Sequence, residues 1–373
     1  MNLSRDELTI KFISFNDSDR IKIFGSIFVK NNKNNLKILI KDILYELKEE
    51  FDINICDVKD YQIKLTIKLI GVSKIVDASY MFHECSSLIK IKGISELDLN
   101  NITNISHMFD NCRSLISLSD ISNWETKNII DMSYLFSDCQ SLEKIPDISK
   151  WNVKNVKNIS YLFYNCFSLS YLPDISQWDT GNITNLSYCF FNCINLIKLP
   201  NISSWNTDNL QKMECLFAGC NSLLNIPDIS NWKTLNVKSF KAIFYECNSL
   251  TSLPDISKWE TNKVSNVSYI FFECNSLRQL PDISIWNTDN FTDLSFMFYD
   301  CSLLSNIPNI SVWNTINVIN LNSIFCGCSS LRFSPDILKW NINNVIKIDD
   351  IFERCYSLES YPDISKWKLN QMV

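Results

Sequence analysis

One period governs this chain. Cysteine stands at 85, 112, 139, 166, 193, 220, 247, 274, 301, 328 and 355, always 27 residues apart. All ten tryptophans keep that step, from Trp124 to Trp367, and so do all nine prolines, from Pro146 to Pro362. Phe stands three before each periodic Cys and Leu three after it, with no insertion or deletion between Cys85 and Cys355. Written from Cys, the repeat is C-x-S-L-x-x-L-P-D-I-S-x-W-x-T-x-N-V-x-x-M-S-Y-L-F-x-x; CNSLTSLPDISKWETNKVSNVSYIFFE, Cys247–Glu273, is a typical copy. A fixed period of this length marks units that share one core by stacking.

Each copy has two apolar runs. S-L-x-x-L is short and bounded by Cys and Pro, which suits one strand per copy. Proline cannot donate to a ladder, so that strand ends at or just before it. The second run follows Asp131, Asn158, Asn185, Ser239, Asn266, Asp293 or Asn320, which are residues of N-cap type. Segments such as MSYLFSDC from Met132 then space their apolar residues at about helical intervals, but are too short for a free helix. The spacing predicts a strand, a turn, a helical segment of one or two turns and a further turn. The apolar side chains of one copy cannot offset the entropy of ordering 27 residues, so copies must stack. The expected fold is an α/β solenoid of about eleven repeats, with one short parallel strand and one short helical segment in each. At ~4.8 Å per rung its parallel sheet is roughly 50 Å long.

L-x-x-L, the N-V-x-x-M-S-Y-L-F segment and the C-x-S-L ending resemble the BspA-like leucine-rich repeat surface proteins over roughly residues 76–373. The resemblance implies a right-handed leucine-rich-repeat-type superhelix used for binding and adhesion. Here Leu and Ile flank Pro-Asp three apart, where many members have L-D-L-S with apolar residues two apart.

Residues 1–75 lack the repeat and form the first of two expected domains, a β-rich N-terminal capping head before the solenoid of 76–373. LTIKFIS, RIKIFGSIFVK and YQIKLTIKLIG alternate apolar and polar residues, as half-buried strands do. LKILIKDILYELKEEF fits either a hairpin or a helix, and a hairpin plus a helical turn is the preferred reading. A bare solenoid end exposes apolar side chains and ladder groups, and a head covering the first rung removes that liability. The first copy is atypical, with Gly93 and Leu97 where Asp and Trp later stand, and the chain stops mid-copy at Val373 without an obvious cap.

The periodic residues read as architecture. The Cys column, flanked by Phe and Leu, suits a small buried hydrophobe at a tight corner. The Trp column belongs to the apolar set. Asn recurs four after Trp, from Asn128 to Asn344 with Lys263 as the exception, and suits a ladder bonding neighbouring turns. Asp after Pro, as in Asp147 and Asp174, suits turn capping, and Asn201 and Asn309 replace it. Off the period, Cys189 and Cys215 fill repeat positions by packing, and Cys326-x-Cys328 lacks a second pair that would complete a zinc set. The two histidines, His83 and His107, fall at variable slots. No nucleophile elbow, P-loop, dinucleotide fingerprint or HExxH motif occurs, and a gapless repeat offers no irregular catalytic loop. No catalytic residue, cofactor or metal site is therefore expected.

Net charge −6 argues against nucleic acid as a main partner. No apolar run approaches membrane-spanning length, and the start MNLSRDELTIKF lacks the apolar core of a secretory signal. A cytoplasmic or intracellular home with reduced thiols is expected; the resemblance points instead to the cell surface. Lys outnumbers Arg 29 to 6 and Ala is nearly missing, a bias of AT-rich genomes. What varies freely is the pair of positions between the two Leu: Glu143-Lys144, Ser170-Tyr171, Ile197-Lys198, Arg278-Gln279, Arg332-Phe333. As the exposed strand face, these slots are what a protein partner reads, and Tyr171, Lys198, Arg278 and Arg332 are the candidate partner-binding residues. The expectation is a non-enzymatic scaffold for protein–protein interaction; its alternative is a surface adhesin or host-interaction protein with an unrecognised export route.

Overall fold

The computed structural model describes residues 6–14, 19–59 and 62–367. It forms two compact units, Met1–Asn182 and Ile183–Val373. The expectation for the chain's last residues, to Val373, lies outside the described ones.

The first unit opens with strands set by alternation. In β1 (Glu7–Ser14), Leu8, Ile10 and Phe12 point inward. β2 (Arg20–Lys22), β3 (Lys37–Ile40), β4 (Ile43–Glu46), β5 (Glu50–Asp52), β6 (Asp57–Lys59), β7 (Gln62–Ile70) and β8 (Leu88–Lys92) follow. One sheet has the order β4-β3-β7-β1-β8, with β6 also on β7, while β2 pairs with β5; every pairing is antiparallel. The expected hairpin is β3–β4, closed by Lys41 and Asp42 at φ 47° and 65°. Two left-handed residues match the twist of a two-residue hairpin turn. No helical turn lies within that stretch; a 3₁₀ turn follows at Ile53–Ile55.

RIKIFGSIFVK was expected as one strand, and only Arg20–Lys22 is. The helix α1 (Ser26–Asn32) takes the rest and buries Phe28 and Asn32. Gly25 sits before it because a Cβ there would lie 2.1 Å from the Tyr80 carbonyl oxygen. Asn32 ties the helix to the chain entering the repeats, donating to the Phe28 and Asp77 carbonyls (3.0 and 2.8 Å) and accepting from Val76 N–H (3.0 Å).

Within the repeats the structure corrects the expected secondary structure. The segment read as helical is a run of turns. Tyr134 and Asp138 stand at φ 57° and 52°, and left-handed residues four apart recur in the other copies, which no α-helix accommodates. Alternate N–H groups bond across copies instead: Met132, Tyr134, Phe136 and Asp138 donate to the carbonyls of Asn158, Ser160, Leu162 and Tyr164. The intervening ones close i→i−3 turns, as Leu135 to Met132 and Cys139 to Phe136. The second unit repeats this, with Phe240, Ala242, Phe244 and Glu246 donating to Asn266, Ser268, Ile270 and Phe272. The N-cap-type residues are therefore turn residues: Asp131 and Asn266 accept from Ser133 and Ser268 N–H, each at 2.8 Å.

The expected strand is reduced to isolated parallel bridges, Ser117 to Lys144 and Lys144 to Tyr171. From the third copy on, proline removes the donor that would extend it; the second copy has Ser119 there. The first copy has Lys92 in the proline slot, and there the segment does form a five-residue strand, β8, paired antiparallel with β1 rather than with another copy. Short 3₁₀ turns after Pro-Asp, such as Ile256–Lys258 and Ile283–Ile285, are capped by Asp255 and Asp282 through Ser257 and Ser284 N–H.

Four side-chain columns bind copy to copy in both units. Periodic Cys thiols after Cys85 donate to the Phe carbonyl 30 residues earlier, as Cys139 to Phe109 and Cys247 to Phe217, both 3.1 Å. The column's indole N–H groups donate to Ile carbonyls, as Trp151 to Ile121 (3.0 Å) and Trp259 to Ile229 (3.1 Å). Asn155 donates to the Lys127 carbonyl (2.8 Å) and Asn290 to that of Asn262 (2.6 Å). At the exception, Lys263 Nζ bonds Asn236 Oδ1 at 2.8 Å. Thr126 and Thr261 hydroxyls reach forward to the Asn152 and Asn287 carbonyls. The core is thus a stack of recurring contacts, with Phe rings 5.3 Å (Phe325–Phe352) to 6.0 Å (Phe217–Phe244) apart.

All fifteen cysteines are free and only Cys56 is not fully buried. Burial pushes the periodic thiols up, to about 12 for Cys220 and Cys274 and well above the ordinary value for Cys112. Since the thiolate is the nucleophile, native protein at pH 8 should be alkylated first at Cys56, with the column reacting only on unfolding. Peptide mapping after brief iodoacetamide exposure checks this; prompt labelling of Cys220 or Cys274 would contradict the hydrogen-bonded column.

Candidate functional site

The four sequence-derived candidates are all solvent-exposed. Tyr171 lies in the first unit and bridges to Lys144. Lys198, Arg278 and Arg332 lie in the second. They occupy two adjacent slots of the copy, Lys198 five after its Cys and the arginines four after theirs. The Leu before each slot pair is buried, as Leu169, Leu196, Leu277 and Leu331 are. The slots also carry large apolar side chains in water: Ile116 and Tyr171 in the first unit, Ile197, Leu224 (55% exposed) and Phe333 (66%) in the second.

A second surface lies on the M-S-Y-L-F segment, whose Tyr the sequence analysis assigned no role. The Tyr of that motif takes the left-handed position of the turn and is only half-buried. In the first unit Tyr80, His107, Tyr134 and Tyr161 stack face to face at 4.3, 4.2 and 4.2 Å. In the second, Tyr245, Phe272 and Tyr299 stack at 4.7 Å each and Tyr269 stacks on Phe296 at 4.8 Å. Arg354 closes that stack over the Tyr299 ring, 5.3 Å from its centre, while pairing with Asp300 at 3.0 Å. Cys215, Ala218 and Ala242 interrupt the aromatics with small buried residues, flanked by Tyr188, Phe191, Tyr245 and Tyr269. The signal for this ladder was available: one slot reads Tyr80, His107, Tyr134, Tyr161, Tyr188, Tyr269, Phe296, and the slot four later holds Asn, Asp or Gly, which tolerate positive φ, in seven of eleven copies.

The first unit also brings together groups that the sequence reading kept apart. His83 and Asp110 hold the same slot of successive copies, and His107 stands three before Asp110 across a turn. Both Nδ1 atoms converge on Asp110 Oδ2, His107 at 2.7 Å and His83 at 3.1 Å. Asp110 is buried at 7% exposure. Burial raises its pKa, but hydrogen bonds led by that of His107 outweigh it and hold the carboxyl below its ordinary value. Cys326 and Cys328 form no comparable site. Cys328 donates to the Phe298 carbonyl at 3.1 Å, while Cys326 Sγ lies 3.6 Å from Arg354.

Among the described residues no helix is long and apolar enough to cross a membrane. No curated protein matches the chain. Among solved structures it is similar to a leucine-rich repeat protein of T. pallidum, at 19% identity over 49% of this chain and 73% of that one, TM-score 0.28. A leucine-rich repeat protein of Eubacterium ventriosum matches at 15% identity over 67% and 59%, TM-score 0.32. A leucine rich cell surface protein of Faecalibacterium prausnitzii matches at 21% over 68% of each chain, TM-score 0.34. The model of one family, described as "Mycoplasma protein of unknown function, DUF285", matches residues 76–172, 170–280, 221–308 and 279–373, and the chain belongs to that family.

Proposed function

We propose that this chain is a non-enzymatic, BspA-like repeat scaffold that binds another protein through the exposed slots between Leu and Pro of its copies. One observation carries the reading. While the Cys, Phe and Trp columns are buried and the Asn column is spent on ladders, these slots hold large apolar and cationic side chains in water, Leu224 and Phe333 beside Arg278 and Arg332. Exposed apolar groups interleaved with arginine are what interface centres are made of. Residues 1–75 serve as the cap of the first rung. The free thiols favour a reducing compartment.

The test is a cross-linking pull-down from the source cell. It compares the full chain, a variant with Tyr171, Lys198, Arg278 and Arg332 all changed to Glu, and a control with Lys150, Lys258 and Lys339 changed to Glu. Those lysines are exposed beside Trp, outside the slots. A partner bound through the slots should fall about tenfold or more in the first variant and hold in the control. Equal recovery with both variants would sink this site. A thiol count on protein isolated under alkylating conditions tests the compartment; an oxidised column would point to export.

A further inference from the structure

We propose that His83, His107 and Asp110 form a binding site for a divalent transition metal ion of the Zn²⁺ class. The chain has two histidines in 373 residues, and the fold places both on one buried carboxylate. One ligand atom from each of the three residues lies within 4.8 Å of the others, a spread that small side-chain shifts close to a metal's first shell. Two imidazoles and one carboxylate are a ligand set that borderline divalent ions favour, with a fourth position left for water.

Three further observations point to a ligand. His83 Nδ1 is shielded from solvent, and its polar neighbour is Asp110 Oδ2 at 3.1 Å, which it meets without the alignment of a full hydrogen bond. Buried polar atoms in native folds are normally satisfied, and a cation between this nitrogen and the carboxylate would satisfy it. The rings are also held in place. His107 is sandwiched between Tyr80 and Tyr134, and Tyr80 meets His83 edge-on at 5.2 Å. Finally, His83 Nε2 faces Glu84 Oε1 at 3.7 Å, and Glu84 is itself paired with Lys22. A carboxylate behind a ligating imidazole orients the ring and raises its basicity. The buried thiols do not compete, because each periodic Cys of this unit is hydrogen-bonded to a backbone carbonyl.

The experiment uses the full chain with Cys56→Ser, which removes the one incompletely buried thiol. Zn²⁺ titrated calorimetrically should bind at one ion per chain, and Co²⁺ should give a visible spectrum without thiolate charge-transfer bands. His107→Tyr is the discriminating variant. Tyr80, Tyr134 and Tyr161 already fill that slot, so the variant keeps the aromatic stack and removes one ligand. It should fold with an unchanged circular dichroism spectrum and lose at least about 100-fold in Zn²⁺ affinity, as should His83→Gln, while Glu84→Gln should lose about tenfold. Zn²⁺ should raise the thermal midpoint of the parent and leave that of His107→Tyr where it was. No stoichiometric binding by the parent overturns the proposal, and so does undiminished binding by folded His107→Tyr and His83→Gln.

Discussion

Trp232→Ala should lower the stability of the second unit by ~3–5 kcal/mol. Trp232 is 1% exposed, and three contributions go with its indole. Its ring lies parallel to that of Trp205, 6.2 Å between centres and 2° between planes. Its removal leaves a void between copies that the stacked backbone cannot collapse into, because the ladders on either side fix the spacing. Its Nε1–H donates to the Ile202 carbonyl at 3.2 Å, and a buried acceptor left unpaired costs about 1–3 kcal/mol. Trp232→Phe separates these effects. It keeps an aromatic ring in the column and removes the donor, so it should lose less than half as much. Urea unfolding of the full chain, followed by tryptophan fluorescence and circular dichroism, reads both. A Trp232→Ala loss below about 1 kcal/mol would show that the indole column does not carry the stacking, against what its burial and periodic hydrogen bonds imply.

The period made the stacking legible, and with it the roles of the Cys, Trp and Asn columns, because a side chain repeated without exception must meet its own copy in the same environment. Local backbone conformation was less legible. M-S-Y-L-F spaces its apolar residues as a short helix does, and spacing alone does not register that the Tyr and the Asn, Asp or Gly four later take left-handed conformations. Those residues turn alternate N–H groups toward the next copy, so the segment trades helical bonds for bonds between copies. The same trade lifts the Tyr edges to the surface and creates the aromatic ladder. The His83–His107–Asp110 cluster was hidden for a different reason. His83 and Asp110 share a slot one period apart, but His107 occupies another, and only the turn between His107 and Asp110 brings the two slots onto one carboxylate. In residues 1–75, alternation found β1, β7 and the β3–β4 hairpin. It missed α1, whose short apolar run after Gly25 reads equally well as strand.

Phe24→Ala should cost the first unit ~3–5 kcal/mol, and where that loss appears decides what residues 1–75 do. Phe24 is fully buried, its ring 5.5 Å from Phe28 of α1 and 5.8 Å from Phe82 of the first copy. Phe82 in turn stacks on Phe109 at 5.7 Å, so Phe24 extends the Phe column beyond the repeats. The backbone is joined at the same place. Gly25 N–H donates to the Met81 carbonyl at 3.1 Å, and β1 completes its sheet with β8. Without these contacts the first copy would present Phe82, Leu88 and a row of ladder groups to water, and a stacked array loses protection from an uncovered end inward. Hydrogen exchange on Phe24→Ala should therefore rise across residues 80–112 as well as in 20–32, by a factor of about 100 or more where exchange proceeds through opening of the weakened end. Exchange that rises in 20–32 while 80–112 stays protected would make the head a separate domain resting on the solenoid, because a cap that fails must release the rung it covers.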